Sequence, residues 1–356
     1  MKKMYLFFGI PVILLCFMIV FKRDFMFDLA KFSLAVQNPA QTLEYIVKDD
    51  SNDTSSLPNE DSPPAESSYD NPFQDFDINT SANSTVAPID TEHPIIERKY
   101  EPVLNTYTYQ RQNCYVKNLT ELSRGEVEAE LLAPTAFKVE KNSAEPQILI
   151  MHTHATESYQ NFPELYYEPE YSCRDTDVNR NMVSVGKIIA DTLNNLGYNT
   201  LHDATLHDYP SYTASYGRSK KTVEEYLAKY PSIKVVLDVH RDAIEKSDGT
   251  RIKPVITLNG KKYAQVMIIC GADNGNMNMP NYKKNLRFAS HFQNSMESLY
   301  PGFTRPILFD YRNYNQQLTT GSLLIEVGGH ANTLEEAQNS GSLIGYALAD
   351  VFNKQQ

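Results

Sequence analysis

The sequence predicts an α/β domain in three layers, a mixed or parallel sheet with helices on both faces, and three observations carry that prediction. Short apolar runs rich in β-branched residues and leucine occur at 147–151, 233–239 and 322–326, the pattern of strands buried on both faces. Stretches read as helices alternate with them at 181–196, 218–229, 282–299 and 333–352, as layered α/β folds require. Each run also delivers chemistry at its carboxyl end: His152-Thr153-His154-Ala155-Thr156-Glu157, then Asp238-Val239-His240-Arg241-Asp242, then Glu326. Open α/β sheets bind their ligands at that edge.

From the N-terminus, Met1-Lys2-Lys3 precedes an uncharged apolar stretch, Met4 to Phe21, followed by Lys22-Arg23. A bilayer-spanning helix takes about 17–25 such residues, and Cys16-Phe17-Met18-Ile19-Val20 offers no small-x-small cleavage site. Residues 1–24 are therefore read as an uncleaved transmembrane signal-anchor, with bases on both flanks leaving its orientation open. Residues 25–48 carry apolar positions suited to short helices beside the membrane. Residues 49–97 hold twelve Asp and Glu and no Lys or Arg. Such a segment buries too little apolar surface to offset chain entropy and is expected to be a disordered, self-repelling tether.

The formal charge of −11 belongs to that tether, because the rest of the chain has 32 acids against 33 bases. No basic stripe points to nucleic acid. Four cysteines without C-x-x-C spacing, one of them Cys16 in the apolar stretch, argue against a disulfide framework and read as packing residues. Residues 98–144 form a lead-in packing on the main domain, with a helix at 119–132. The domain proper, 145–356, adds Gly197 as a helix C-cap, a strand at 198–201, hairpin-like strands at 252–258 and 263–270, and a strand near 305–309.

A hydrolytic zinc site needs three protein ligands and one open position. His154 and Glu157, in a His-x-x-Glu spacing after a strand, can be aimed at one point by a tight turn, and His240 can complete the set. His152 is the alternative to His154, since residues two apart on an extended chain share a side. Glu326 is placed to take a proton from an attacking water and pass it to a leaving amine. Asp238 and Asp242 are natural acceptors for the ligands' N–H groups. Arg241 could hold a substrate carboxylate. The stretch from Tyr209 to Tyr216, rich in aromatics and hydroxyls, could form a platform for sugar or peptide through Tyr212 and Ser215. Residues 311–316 make a second rim.

These residues resemble a known family. His152-Thr153-His154-Ala155-Thr156-Glu157-Ser158-Tyr159, His207-Asp208-Tyr209-Pro210-Ser211-Tyr212, Asp238-Val239-His240-Arg241-Asp242-Ala243 and Leu324-Ile325-Glu326-Val327-Gly328 look like those of the stage II sporulation protein P family, over about residues 145–352. The resemblance implies a membrane-anchored, Zn2+-dependent N-acetylmuramoyl-L-alanine amidase that cuts peptidoglycan between glycan and stem peptide, with cross-link cleavage as a second activity. It further implies work at the septum during engulfment, stage II sporulation proteins D and M as partners, and a catalytic domain outside the cytoplasm. Zinc amidases carry a Glu at the start of the helix after the first His. Near Asn179-Arg180-Asn181 this chain has none, and the His-x-x-Glu of zinc carboxypeptidases supports Glu157 as the substitute, with Asp175 or Asp177 next. Two other readings stay open: a zinc carboxypeptidase-type enzyme, in which Arg241 or Arg218 would clamp a carboxylate, and a non-catalytic wall-binding scaffold.

Overall fold

The computed structural model describes residues 92–355. The signal-anchor, the juxtamembrane segment and the acidic stretch up to residue 91 lie outside them. No helix among the described residues is long and apolar enough to cross a membrane.

In chain order the elements are β1 (Ile95–Arg98), β2 (Thr108–Arg111), β3 (Cys114–Asn118), α1 (Arg124–Leu132), β4 (Ile148–Met151), α2 (Met182–Asn195), β5 (Thr200–His202) and α3 (Ser215–Lys229). They continue with β6 (Val235–Asp242), β7 (Arg251–Leu258), β8 (Lys261–Ala264), β9 (Val266–Gly271), α4 (Tyr282–Leu299), β10 (Ile307–Asp310), β11 (Ser322–Gly329) and α5 (Leu334–Asn353). Helix starts follow local chemistry. Ser123 with Glu126 and Thr333 with Glu336 form capping boxes on α1 and α5, and the Asn181 side chain accepts from the Val183 N–H to start α2.

Eight strands form one mixed sheet in the order β2-β3-β10-β9-β11-β6-β4-β5. Its centre is parallel through β11, β6 and β4, while β9 runs antiparallel to β11. A second sheet, β1-β7-β8, is separate. One face of the large sheet carries the main core: Leu237 and Val239 of β6 and Leu323, Ile325 and Val327 of β11 join apolar residues of α1, α2, α4 and α5. On the other face, Leu149, Met151 and Val236 pack with Val223 of α3. Met267, Ile269 and Leu324 pack there with Ile252 of β7 and with Tyr100. Strand alternation puts Asp238, His240, Asp242 and Glu326 on this second face.

Four expectations change. The hairpin at 252–258 and 263–270 divides, because β8 pairs with β7 while β9 enters the large sheet. Every residue of β9 is buried, the signature of a central strand, whereas Lys261 and Lys262 of β8 are exposed. The tether expected through residue 97 ends earlier, since Ile95–Arg98 pairs in parallel with β7 and buries Ile95. The lead-in contributes β2 and β3 to the large sheet itself rather than only packing on it. Finally, β6 and β11 run to Asp242 and Gly329, so His240 and Glu326 stand within strands and face each other in register. The ladder shifts register between Glu326 and Gly329, where Gly328 adopts φ 69°, a left-handed conformation suited to a glycine at a bulge.

Candidate metal centre

After Met151 the chain leaves its extended course and turns, and the Glu157 N–H donates to the His154 carbonyl at 3.1 Å. That turn aims both side chains at one point. His154 Nδ1 lies 3.6 Å from Glu157 Oε1, and His240 Nδ1 lies 3.6 Å from Glu157 Oε2. The three residues offer one ligand atom each within 4.8 Å of one another, and all three are buried. Among the described residues no second cluster of three such groups occurs.

The far nitrogens are held as well. His154 Nε2 stands 3.2 Å from Ser215 Oγ. His240 Nε2 stands 2.8 Å from Asp238 Oδ1, outside the alignment of a straight hydrogen bond. The Asp238 carboxylate favours the ring hydrogen on Nε2 of His240, and the Ser215 hydroxyl, able to accept, permits the same in His154, leaving the Nδ1 lone pairs for the shared point. Tyr212 stacks on His154 with ring centroids 4.5 Å apart, the Arg174 guanidinium lies 5.0 Å from the Tyr212 ring, and Tyr216 meets His154 edge-on at 5.4 Å.

Electrostatics favour a cation here. Burial alone would raise the Glu157 pKa, but His154, His240 and Arg241 hold its carboxyl well below the usual range. Burial alone would lower His240, but Asp238 foremost and Glu157 next push it well above ordinary imidazole. A proton on His240 thus balances two buried carboxylates, and a divalent cation between the two Nδ1 atoms and Glu157 can take its place. Two neutral imidazoles and one carboxylate are a donor set of hydrolytic zinc sites, so the residues present fit Zn2+.

His152 is spent elsewhere. Its Nδ1 donates to the Val239 carbonyl at 2.8 Å and its Nε2 lies 3.0 Å from His202 Nε2. Burial first, then His202, pushes its pKa down to about 3. Gly186 of α2 makes room for it, since a Cβ there would fall 2.4 Å from His152 Nε2. The expectation that residues 152 and 154 share a side fails because the strand ends at Met151.

Glu326 faces His240 across the β6–β11 ladder, and its Oε2 is buried without a hydrogen-bond partner. Burial foremost, then the charge of Asp242, pushes its pKa up to about 8. Behind it, fully buried Arg305 donates from Nη1 to Asp242 Oδ2 at 2.7 Å. Asp242 therefore serves Arg305 and does not orient His240, a correction to the sequence reading that leaves Asp238 as the acceptor beside that ring.

Two arginines read as substrate clamps are also corrected. Arg241 donates to the carbonyls of Ser158, Cys173 and Asp242, and Arg218 to those of His207, Thr213 and Ser211. Both brace loops through all three nitrogens of their guanidinium groups. Ser215, read as a substrate group, stands with its Oγ against His154 Nε2. Asp175 and Asp177 pair with Arg180 and stand outside the cluster. The sequence reading missed Thr153, Ser219, Arg174 and Arg305. Ser215 and Ser219, one helical turn apart, carried a usable signal; Arg305 carried none.

Residues 36–353 match the family model of stage II sporulation protein P, and the chain belongs to that family. Stage II sporulation protein P of Bacillus subtilis (strain 168) is 33% identical over 224 residues, covering 58% of this chain and 50% of that protein. The chain therefore spans about half the length of the curated relative it matches. Among solved structures, the N-acetylmuramoyl-L-alanine amidase AmiC2 of Nostoc punctiforme aligns with TM-score 0.36 and 12% identity over 60% of this chain and 97% of that one. The CwlD amidase of Clostridioides difficile in complex with the GerS lipoprotein aligns with TM-score 0.36 and 12% identity over 59% and 98%. A metallo-carboxypeptidase from Burkholderia cenocepacia aligns with TM-score 0.33 and 8% identity over 67% and 71%.

Proposed function

We propose that this chain is a zinc-dependent peptidoglycan hydrolase that cleaves the amide between N-acetylmuramic acid and L-alanine of the stem peptide during sporulation. The carrying observation is the convergence of His154, Glu157 and His240 on one buried point, with the unsatisfied carboxyl of Glu326 on the adjoining strand. Membership of a sporulation family supports the wall substrate.

Zinc held by His154, Glu157 and His240 would supply a Lewis acid for the scissile carbonyl and lower the pKa of an attacking water. Glu326 accepts the water's proton at Oε2 and returns it to the departing nitrogen. Its burial and the nearby Asp242 suit that task, because both keep the carboxyl basic. Asp238 and Ser215 fix the two imidazoles. Tyr212, stacked on His154 beneath Arg174, walls one side of the centre.

A carboxypeptidase of that type needs a cation free to grip a chain-terminal carboxylate, and the commitment of Arg241 and Arg218 to backbone carbonyls speaks against that reading. In keeping with the family, we place the catalytic domain outside the cytoplasm at the sporulation septum, anchored by residues 1–24, with proteins D and M as partners. Digestion of purified peptidoglycan tests the activity. Mass analysis should show intact stem peptides released from glycan and dependence on zinc. Release of single carboxyl-terminal residues would instead indicate the carboxypeptidase, and binding without products the scaffold.

A further inference from the structure

We propose that Asn315, on the loop between β10 and β11, is a positioning residue for the metal ligand His240, acting through Ser219, Thr153 and Asp238. The inference rests on the metal-centre reading above. Asn315 Nδ2 donates to Ser219 Oγ at 3.1 Å. Ser219 Oγ lies 2.8 Å from Thr153 Oγ1, and Thr153 Oγ1 donates to Asp238 Oδ2 at 2.6 Å. Asp238 Oδ1 accepts the Thr153 N–H at 2.8 Å and stands 2.8 Å from His240 Nε2.

Hydrogen counting fixes the direction at Asp238, and Asn315 sets it at Ser219. An ionised Asp238 only accepts, so the single hydroxyl hydrogen of Thr153 goes to it. The Ser219 hydrogen then has two acceptors, Thr153 Oγ1 at 2.8 Å and the Tyr216 carbonyl at 3.2 Å; the amide of Asn315, donating both to that carbonyl and to Ser219 Oγ, turns the hydrogen toward Thr153. Thr153 and Ser219 are wholly buried, and Asp238 is 5% exposed. Reversing one link in such surroundings strands a buried acceptor.

The same helix serves both histidines. Ser215 and Ser219 lie one turn apart on α3, the first against His154 and the second linked to His240. Asn315 also donates to the Tyr216 carbonyl between them, at 2.9 Å. Its backbone sits at φ 57°, after Tyr314 at φ 45°, a left-handed conformation that Asn tolerates better than most residues. Asn is thus suited to this position twice over, by its backbone and by its donor.

Zinc affinity of the full chain, measured by competition with a chromophoric chelator, tests the chain of bonds, with the visible spectrum of the Co2+ form as a second readout. Asp238→Asn and Thr153→Val should weaken zinc binding about 10–100-fold, the usual effect of removing a ligand's outer partner. Thr153→Ser keeps the hydroxyl and should bind as the parent does. Asn315→Asp preserves shape and left-handed tolerance but turns the donor into an acceptor. It should weaken zinc binding about 10-fold, at the low end of that range, and shift the Co2+ bands while the metal-free melting temperature holds. Asn315→Gly, which deletes the amide and keeps the backbone, repeats the test if the Asp variant does not fold. Unchanged affinity and unchanged Co2+ bands in both Asn315 variants, beside a weakened Asp238→Asn, would overturn the proposal and leave the metal centre standing. A parent protein that binds no zinc would overturn the metal centre, and this proposal with it.

Discussion

The two faces of β6 and β11 show how one pair of strands divides its duties. Leu237, Val239, Ile325 and Val327 point into the main core, where their value is packing. Asp238, His240, Asp242 and Glu326 point the other way and are all polar. Five of the eight buried side-chain atoms left without a hydrogen-bond partner, among the described residues, belong to groups at this end of the two strands: His240, Arg305, Glu326 and His330. Buried polar groups are normally satisfied. Unmet demand concentrated on one face, beside a cluster able to hold a cation, is the pattern that the proposed metal centre requires of it.

If the faces are separable, substitutions should sort by face. The largest effect expected is from Glu326→Gln. Loss of a positioned general base lowers turnover about 10²–10⁴-fold, with bound zinc unchanged by elemental analysis. Full activity in that variant would remove Glu326 from the reaction. On the opposite face, Ile325→Ala should cost about 2–5 kcal/mol in chemical denaturation. The same variant should keep one zinc per chain under conditions where it stays folded.

The polar face should also weaken the metal-free fold with a defined pH sign. The Glu326 pKa is raised to about 8 in the folded protein, so folding favours its protonated form. Stability from this group is therefore complete below the unfolded value, ~4.5, and is lost as pH rises through about 8. In chelator-treated protein, Glu326→Gln should flatten the fall in melting temperature across that window; an unchanged slope would contradict the burial argument. The smallest expected effect is at His152, whose pKa is lowered to about 3. Folding favours its neutral form, so stability is present above the unfolded value of ~6.5 and declines as pH falls toward 3. His152→Gln should make that acid limb shallower, by a share only, since His202 and His330 are each lowered to about 4 by burial as well.

The division between faces also explains what could be read from residues alone. Period-two alternation and strand-end placement bring His154, Glu157, His240 and Glu326 out of the sequence, because each follows or sits in a short apolar run. The roles of Arg241 and Arg218 could not be read that way. Their partners are backbone carbonyls, near in sequence for Arg218 and mostly remote for Arg241, and a carbonyl leaves no side-chain signature. Asp242 and Asp238 look equivalent in Asp238-Val239-His240-Arg241-Asp242, and only the position of Arg305, far along the chain, separates them. β2 and β3 escaped notice as members of the large sheet because four- and five-residue strands at an edge carry little periodicity. The split of β8 from β9 was legible in retrospect from Lys261-Lys262 against Val266-Met267-Ile268-Ile269, an exposed pair against a buried run.

Zinc content of the purified protein, compared with the His154→Gln and His152→Gln variants, addresses the central claim most directly. Two histidines separated by one residue are assigned opposite duties, one to the cation and one to the fold. The account predicts one zinc per chain in the parent and in His152→Gln, and none in His154→Gln. Zinc retained by His154→Gln and lost from His152→Gln, or absent from the parent, would contradict it.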